Sequence, residues 1–259
     1  MLALRIGLDL STLAVPPKEA LHVAARLGVD AVEIDARGAL RVEEFSRTAL
    51  RQLRKILNDL NLRVAALSYR SRRGLATPDE LDRRVNGTKA AMQLAYGLGT
   101  NVIVGTLGPL PPPDSVAWQM LTSVLDDLGR HGQHVGATFV AETGTDSPAT
   151  LSRLLGALPE GTLGIDLNPG SLVVAGYSPR EAVQALGSWI LHVHASDAIH
   201  GLAQGRGVRV PLGQGAVDLP AILGALEEFD YRGYFTIRPH EGSDAMHQAS
   251  AAVQYLRRL

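Results

Sequence analysis

The stretch VPLGQGAVDLPAILGALEEFDYRGYFTI, residues 210–237, contains a helix signal followed directly by a strand signal. Asp218 is a residue type that caps helices, and apolar residues with helical spacing follow it. After Gly233 the β-rich run YFTIR (234–238) predicts a strand that ends at Arg238. One helix leading into one strand is the repeating step of an α/β protein.

The same step recurs along the chain. Eight short β-rich runs are separated by longer segments with helical spacing. The predicted strands are 4–9, 31–35, 62–67, 101–105, 137–142, 162–166, 189–194 and 234–238.

Several helices have recognisable ends. Pro17 is suited to a first helical turn and Gly28 to a C-terminal stop. In the segment 77–99, Thr77 is the predicted cap, with Pro78 next and Glu80 in the capping-box position. These signals predict a helix from about residue 78 to 98.

Strict alternation of eight strands and eight helices implies parallel pairing through right-handed crossovers. An open doubly wound sheet is one arrangement, but eight units in 259 residues fit a closed (β/α)8 TIM barrel better. No Gly-x-Gly-x-x-Gly motif follows the first strand, so a dinucleotide site has no support. We expect one barrel domain over residues 1–259.

Composition excludes several classes of function. Of the residues, 46% are hydrophobic and 20% charged, and the net charge is −1. This balance gives no attraction to nucleic acid or to a membrane surface, and there are no cysteines for disulfides or thiolate chemistry. A cytoplasmic protein acting on a small molecule is the expectation, with a homo-oligomer possible.

Ionisable residues stand where the predicted strands end, which in a barrel is the face that carries the reactive groups. Alternation along 189–194 places His192 and His194 on the inward face, and the same period turns Glu142 inward. The strand-end residues are Asp9, Glu33, Asp35, Glu142, Asp166, His194 and Arg238. A Glu, an Asp and a His from adjacent strands suit Mn²⁺, Mg²⁺, Co²⁺ or Zn²⁺, although each could also be a solvated or helix-capping group.

The chain resembles the xylose isomerase-like barrel superfamily of sugar and sugar-phosphate isomerases and epimerases. The resemblance is carried by ALHVAARLGVDAVEI, VAETG, GIDLNPGSLVVAG, ILHVHASDA and, most specifically, by Gly-x-Gly-x-Val-Asp at 213–218 with Tyr-x-Gly at 231–233.

The resemblance implies one divalent metal, bound by carboxylates and a His from the last four strands. By position its ligands are Glu142, Asp166 and His194, and the fourth position is occupied by Arg238. The family's strand-five and strand-eight carboxylates also form the acid–base pair, so this substitution affects both metal binding and chemistry.

Arginine cannot ligate a metal, because it stays protonated. Arg238 could lie across Glu142 and Asp166 and take the metal's electrostatic place. With a metal also present, the site would instead be positive and favour an anionic substrate. His240 and Glu241, in the loop after Pro239, are candidates for a substitute ligand, although an exposed loop position is the simpler reading.

The expected function is isomerisation or epimerisation of a sugar, sugar phosphate or polyol by proton abstraction next to a carbonyl. Glu142 and Arg238 are the predicted catalytic residues. The predicted substrate contacts are Asp9, Glu33, His192, Arg206 and Asn168, although His192 also suits a hydrogen-bonded core position. Tyr69 and Arg70, after the third strand, could also touch substrate. The alternative is a non-catalytic or metal-free barrel that binds an anionic sugar-like ligand, its metal site replaced by an ion pair of Arg238 with a carboxylate.

Overall fold

A computed structural model describes residues 4–38, 46–203, 205–239 and 244–259. His240 and Glu241 lie outside these ranges. Eight parallel strands close into a barrel, confirming the (β/α)8 prediction. Its strands are β1 (Ile6–Asp9), β2 (Ala31–Asp35), β3 (Arg63–Ser68), β4 (Val102–Gly105), β5 (Thr138–Glu142), β6 (Gly164–Leu167), β7 (Ile190–Ala195) and β10 (Phe235–Ile237).

Helices surround the barrel. They are α1 (Pro17–Leu27), α2 (Arg47–Asp59), α3 (Leu81–Leu98), α4 (Val116–Val135), α5 (Pro148–Gly156), α6 (Pro169–Ala175), α7 (Pro179–Leu186), α8 (Leu219–Glu227) and α9 (Ala245–Leu256). The short α6 is additional to the eight predicted helices. A two-stranded antiparallel hairpin, β8 (Asp197–Ile199) with β9 (Val208–Val210), was also not predicted.

The predicted helix caps are confirmed at two places. Asp218 accepts a hydrogen bond from the Ala221 amide at the start of α8. Gly28 ends α1 in the left-handed conformation, with φ of 72°.

The predicted start of α3 is wrong. The helix begins at Leu81, because Glu80 adopts a left-handed conformation with φ of 50° and interrupts the helical path. Thr77 does not cap it, since its hydroxyl donates to the Arg73 carbonyl instead.

Two apolar layers hold the barrel. A large core of buried aliphatic side chains lies mainly between strands and helices. Ala66, Val102, Val104 and Val140 form a separate small cluster. Strand alternation places Val140 on the same inward face of β5 as Glu142, two residues nearer the strand's start. No helix in the described ranges is long and apolar enough to cross a membrane.

Candidate functional site

Seven charged or titratable side chains converge at the carboxyl end of the barrel. We call them the charge cluster: Asp9, Glu33, Arg70, Glu142, Asp166, His194 and Arg238. Six of the seven were singled out from strand ends, and the period of two along each strand explains why they meet.

Local irregularities help to aim two of them. The pairing of β2 with β3 shifts register between Val32 and Glu33, and that of β6 with β7 shifts between Ile165 and Asp166. Such bulges re-orient the side chain beside them.

Arg238 points into the barrel mouth. Its Nε donates to Asp9 Oδ2 at 3.0 Å and its Nη1 donates to Glu142 Oε1 at 3.0 Å. Its Nη2 lies 2.9 Å from His194 Nε2 and 3.8 Å from Glu33 Oε1. The predicted ion pair therefore forms with Glu142, but its second carboxylate is Asp9 and not Asp166.

Arg70 is a second guanidinium in the same mouth. Its Nε donates to Glu142 Oε2 at 3.0 Å and its Nη2 donates to Glu33 Oε1 at 2.8 Å. From the sequence, Arg70 was predicted only as a plausible substrate contact, and its ion pairs with Glu142 and Glu33 were not predicted. The sequence did contain a signal for a second cation, because four converging carboxylates need more than one cation to balance their charge.

Asp166 is held by the two histidines of β7. Its Oδ2 lies 2.6 Å from His194 Nδ1, and its Oδ1 lies 2.9 Å from His192 Nδ1. His194 Nε2 also lies 2.8 Å from Glu33 Oε2, and His192 Nε2 lies 2.8 Å from the Thr236 hydroxyl. His192 is thus a hydrogen-bonded core residue below the mouth.

These contacts set the protonation of the cluster. Burial alone would lower the pKa of His194, but Asp166 and Glu33 raise that pKa well above its ordinary value. Burial alone would raise the pKa of the Asp166 and Glu33 carboxyls. His194 and His192 nevertheless lower the pKa of Asp166, and Arg70 and His194 lower the pKa of Glu33. Burial and the neighbouring Glu33 raise the pKa of Asp9, while Arg70 lowers it. With His194 as imidazolium and all four carboxyls ionised, the cluster carries a net charge of −1.

Asn168 connects Glu142 to a helix start. Its Nδ2 donates to Glu142 Oε1 at 2.7 Å, while its Oδ1 accepts from the Ser171 amide as the cap of α6. Ser196 also donates to that Oδ1. Asn168 therefore positions Glu142 and caps α6 at the same time.

Only part of the cluster faces solvent. The side chains of Arg70, Arg238 and Glu142 are 24%, 16% and 10% exposed, whereas Glu33 and Asp166 are fully buried. Glu142 also lines a cleft of about 820 Å³ over strands β3 to β6. A ligand in this cleft meets Glu142 together with Arg72 and Arg209, which also line it.

Arg206 is placed differently from the rest. It lies exposed on the loop between β8 and β9 and does not line the cleft itself, although its neighbour Gly205 does. Arg209 of β9 lines the cleft instead and donates to the Ser171 hydroxyl at 2.6 Å.

Among the residues that the structure describes, two groups of donors are close enough to hold a metal ion. Glu142, Asp166 and His194 form one, and Glu33, His192 and His194 the other, with ligand atoms within 4.8 Å of one another in each. Yet both oxygens of Glu142 accept from guanidinium groups, and Arg238 Nη2 stands 2.9 Å from His194 Nε2. Two permanent cations inside the donor set oppose a third positive charge, so these residues do not fit the resembled family's divalent ion.

Comparisons with known proteins agree on the fold. A family model described as "xylose isomerase-like TIM barrel" matches residues 21–259. No curated protein shows a significant match.

Solved structures extend the likeness over nearly the whole chain. A xylose isomerase domain protein from Planctomyces limnophilus has a TM-score of 0.87 and 23% identity, covering 98% of this chain and 96% of that one. A xylose isomerase-like TIM barrel protein from Mycobacterium smegmatis in complex with magnesium has a TM-score of 0.80 and 16% identity, covering 99% and 95%. The 3-keto-D-glucoside 4-epimerase of E. coli has a TM-score of 0.78 and 16% identity, covering 99% and 100%. At these identities the likeness shows the fold alone.

Proposed function

Because the chain belongs to the xylose isomerase-like TIM barrel family, we propose that its barrel mouth isomerises or epimerises a small sugar-like carbonyl compound without a divalent metal. The observation that carries the proposal is the position of Arg70 and Arg238, both paired with Glu142 and both partly exposed at the barrel mouth. A relative of the same fold that acts on a sugar, the E. coli epimerase, supports the substrate class.

The two arginines supply the electrophile. Removing a proton next to a carbonyl moves an electron pair onto the carbonyl oxygen, and the resulting enediolate needs positive charge nearby. Guanidinium groups offer several N–H donors in a fixed plane and keep their charge at every physiological pH. Asp9, Glu33 and Asn168 then act as positioning residues, because they hold the arginines and Glu142 in place.

Glu142 is the proposed base. Its Oε1 accepts from Arg238 and Asn168, whereas Oε2 accepts a hydrogen bond only from Arg70 among the described residues. Oε2 therefore retains a lone pair for the substrate proton, which it takes from carbon and returns to the same or the neighbouring carbon.

The test is deuterium incorporation from D2O into a panel of ketoses and 3-keto sugars, followed by NMR, with chelator-treated protein. We expect exchange that survives chelation, falls by about 10²-fold or more in Glu142→Gln, and falls by about 10²-fold in Arg238→Gln. Arg232→Gln, an exposed arginine away from the mouth, is the matched control and should retain full exchange. Exchange that disappears with chelator and returns with Mn²⁺ would overturn the metal-free mechanism.

A second candidate is a non-catalytic barrel that binds an anionic sugar-like ligand. It is favoured by the three hydrogen bonds on Glu142, which already engage both carboxylate oxygens before any ligand arrives. Calorimetry distinguishes the two: ligand binding that depends on Arg238, with no isotope exchange in any sugar of the panel, identifies the binding protein.

A further inference from the structure

A second basic site lies beside the charge cluster. We call it the arginine cleft; its volume is about 440 Å³, and it is lined by Arg37, Tyr69, Ser71, Arg72, Arg73, Glu80, Arg83 and Arg84. Arg37 follows β2, Arg72 and Arg73 follow β3, and Arg83 and Arg84 belong to the first turn of α3. The cleft thus opens on the same face of the barrel as the mouth.

Its charges are unbalanced. Arg73 pairs with Asp79, and Arg83 lies 3.6 Å from Glu80 in an exposed pair. Within the described ranges, Arg37, Arg72 and Arg84 have no carboxylate partner. Such an excess contrasts with the protein's overall net charge of −1.

Arg84 is the informative member. It is only 9% exposed, and its terminal nitrogens donate to the backbone carbonyls of Asp79 and Thr77. Its Nε is buried without a hydrogen-bond partner. A buried guanidinium without a counter-charge is costly, and an unsatisfied buried polar atom in a native fold calls for an explanation such as an ion that belongs there.

The start of α3 adds to the positive charge of the arginine cleft. Glu80 is in the left-handed conformation and no side chain caps the 18-residue helix, so its first amides lack a side-chain acceptor, and Asp82 is the one acidic residue of the first turn. Helix N-termini of this kind favour anions.

The loop that carries Arg72 and Arg73 is fixed in place. Gly74 has φ of 67°, and a Cβ there would lie 2.3 Å from the Leu107 and Gly108 backbone. The Leu75 and Ala76 amides donate to the carbonyls of Thr106 and Leu107. The backbone that carries the two arginines is therefore held in place in advance of any ligand.

We infer that the arginine cleft binds a phosphate group of the substrate. A phosphate carries up to two negative charges and three acceptor oxygens, which match several guanidinium groups at once. Ser71 and Arg72 line both this cleft and the larger one over Glu142. A sugar phosphate can thus place its phosphate among the arginines and its carbonyl carbon near Glu142, so this inference rests on the proposed function and narrows its substrate to phosphate esters.

The test is isothermal titration calorimetry with inorganic phosphate, with a ketose and with the same ketose's phosphate ester. We expect saturable phosphate binding, and binding of the ester that is stronger than that of the neutral sugar. Arg72→Gln and Arg37→Gln should each weaken phosphate and ester binding by about tenfold or more, because each removes charge-assisted hydrogen bonds. Arg54→Gln, an exposed arginine on α2 outside both clefts, is the matched control and should change neither.

The outcomes separate this inference from the proposed function. Equal phosphate binding by wild type, Arg72→Gln and Arg37→Gln, or none at all, overturns the phosphate site. Isotope exchange in neutral sugars would then still support the proposed reaction. Phosphate binding that is lost in Arg72→Gln but kept in Glu142→Gln supports the site even if no exchange is found. Tight binding of a short DNA duplex, with none of the small phosphates, would make the cleft a nucleic-acid contact and overturn the inference.

Discussion

At the residue scale, one position decides the chemistry of the mouth. Arg238 stands where the resembled family has a metal-ligating glutamate, and it holds Asp9 and Glu142 instead. The inward direction of Glu142, His192 and His194 was predictable, since it follows from the period of two along a strand. The contacts of Arg70 were not, because Arg70 lies two residues beyond the end of β3, where loop conformation decides direction.

Arg238→Glu should create a metal site. The change would add a fourth ligand, a carboxylate, next to Glu142, Asp166 and His194 and remove one cation. We expect Mn²⁺ binding by calorimetry and elemental analysis, and none in the wild type. Without metal, the variant should lose about 3–5 kcal/mol of stability, because Asp9 and Glu142 lose their shared partner.

Arg238→Gln is the control for that gain, since it removes the cation without adding a ligand. Equal Mn²⁺ binding by wild type and both variants would contradict the interpretation that Arg238 excludes the metal.

His194 predicts a pH dependence. The pKa of His194 is raised in the folded protein, so its contribution to stability is full below the unfolded pKa of about 6.5 and is lost as pH rises toward the folded value. Above pH 6.5 the folded state binds more protons than the unfolded state, and the free energy of unfolding should fall by up to about 1.4 kcal/mol per pH unit. Urea unfolding from pH 6 to 9 measures this slope.

The contributions of Asp166 and Glu33 to stability depend on pH in the opposite direction. The pKa of each is lowered, so their contribution to stability is full above the unfolded pKa of about 4 and is lost as pH falls below it.

His194→Gln should flatten the alkaline slope, whereas His200→Gln, in an exposed position, should leave it unchanged. Identical slopes in wild type and His194→Gln would argue against the imidazolium.

At the element scale, the loops between strands and helices shape the clefts. The strands were predicted within about two residues, because buried β-rich runs have a strong local signal. The start of α3 was misplaced because the Thr-Pro-Asp-Glu sequence has the features of a capping box, while tertiary contacts place Glu80 in a left-handed turn. The hairpin of β8 and β9 was missed because its two strands have three residues each.

Gly74→Ala should disrupt the loop after β3. The new Cβ would meet backbone atoms at 2.3 Å as well as a strained φ of 67°. We expect a loss of about 3 kcal/mol or more, from the conformational cost together with overpacking, measured by urea unfolding. Gly28→Ala is the matched control: its φ is 72° and nothing lies within 4 Å, so only about 1 kcal/mol should be lost. Equal losses would show that the close approach contributes nothing.

At the scale of the whole molecule, the charge cluster connects seven of the eight barrel strands or the loops directly after them. Asp9 and Arg238 are on β1 and after β10, the two strands whose pairing joins the chain's ends. The closed barrel itself was predictable from the number and spacing of the alternating elements. Whether internal cations or a metal balance its carboxylates was left open, because that depends on side-chain positions across the mouth.

The stability of the wild-type protein should therefore not depend on divalent metal ions. An ion bound with a dissociation constant a thousandfold below its concentration adds about 4 kcal/mol to the free energy of unfolding, which for a chain of this size raises Tm by roughly 10 °C. Because Arg70 and Arg238 already pair with both oxygens of Glu142, we expect no such shift when Mn²⁺, Mg²⁺ or Zn²⁺ is added at millimolar concentration, and none when chelator is added. Arg238→Glu is the positive control in the same assay, since its Tm should rise with Mn²⁺. A metal-dependent Tm in the wild type would mean that an ion displaces the guanidinium groups, and the mouth would then follow the metal chemistry of the resembled family.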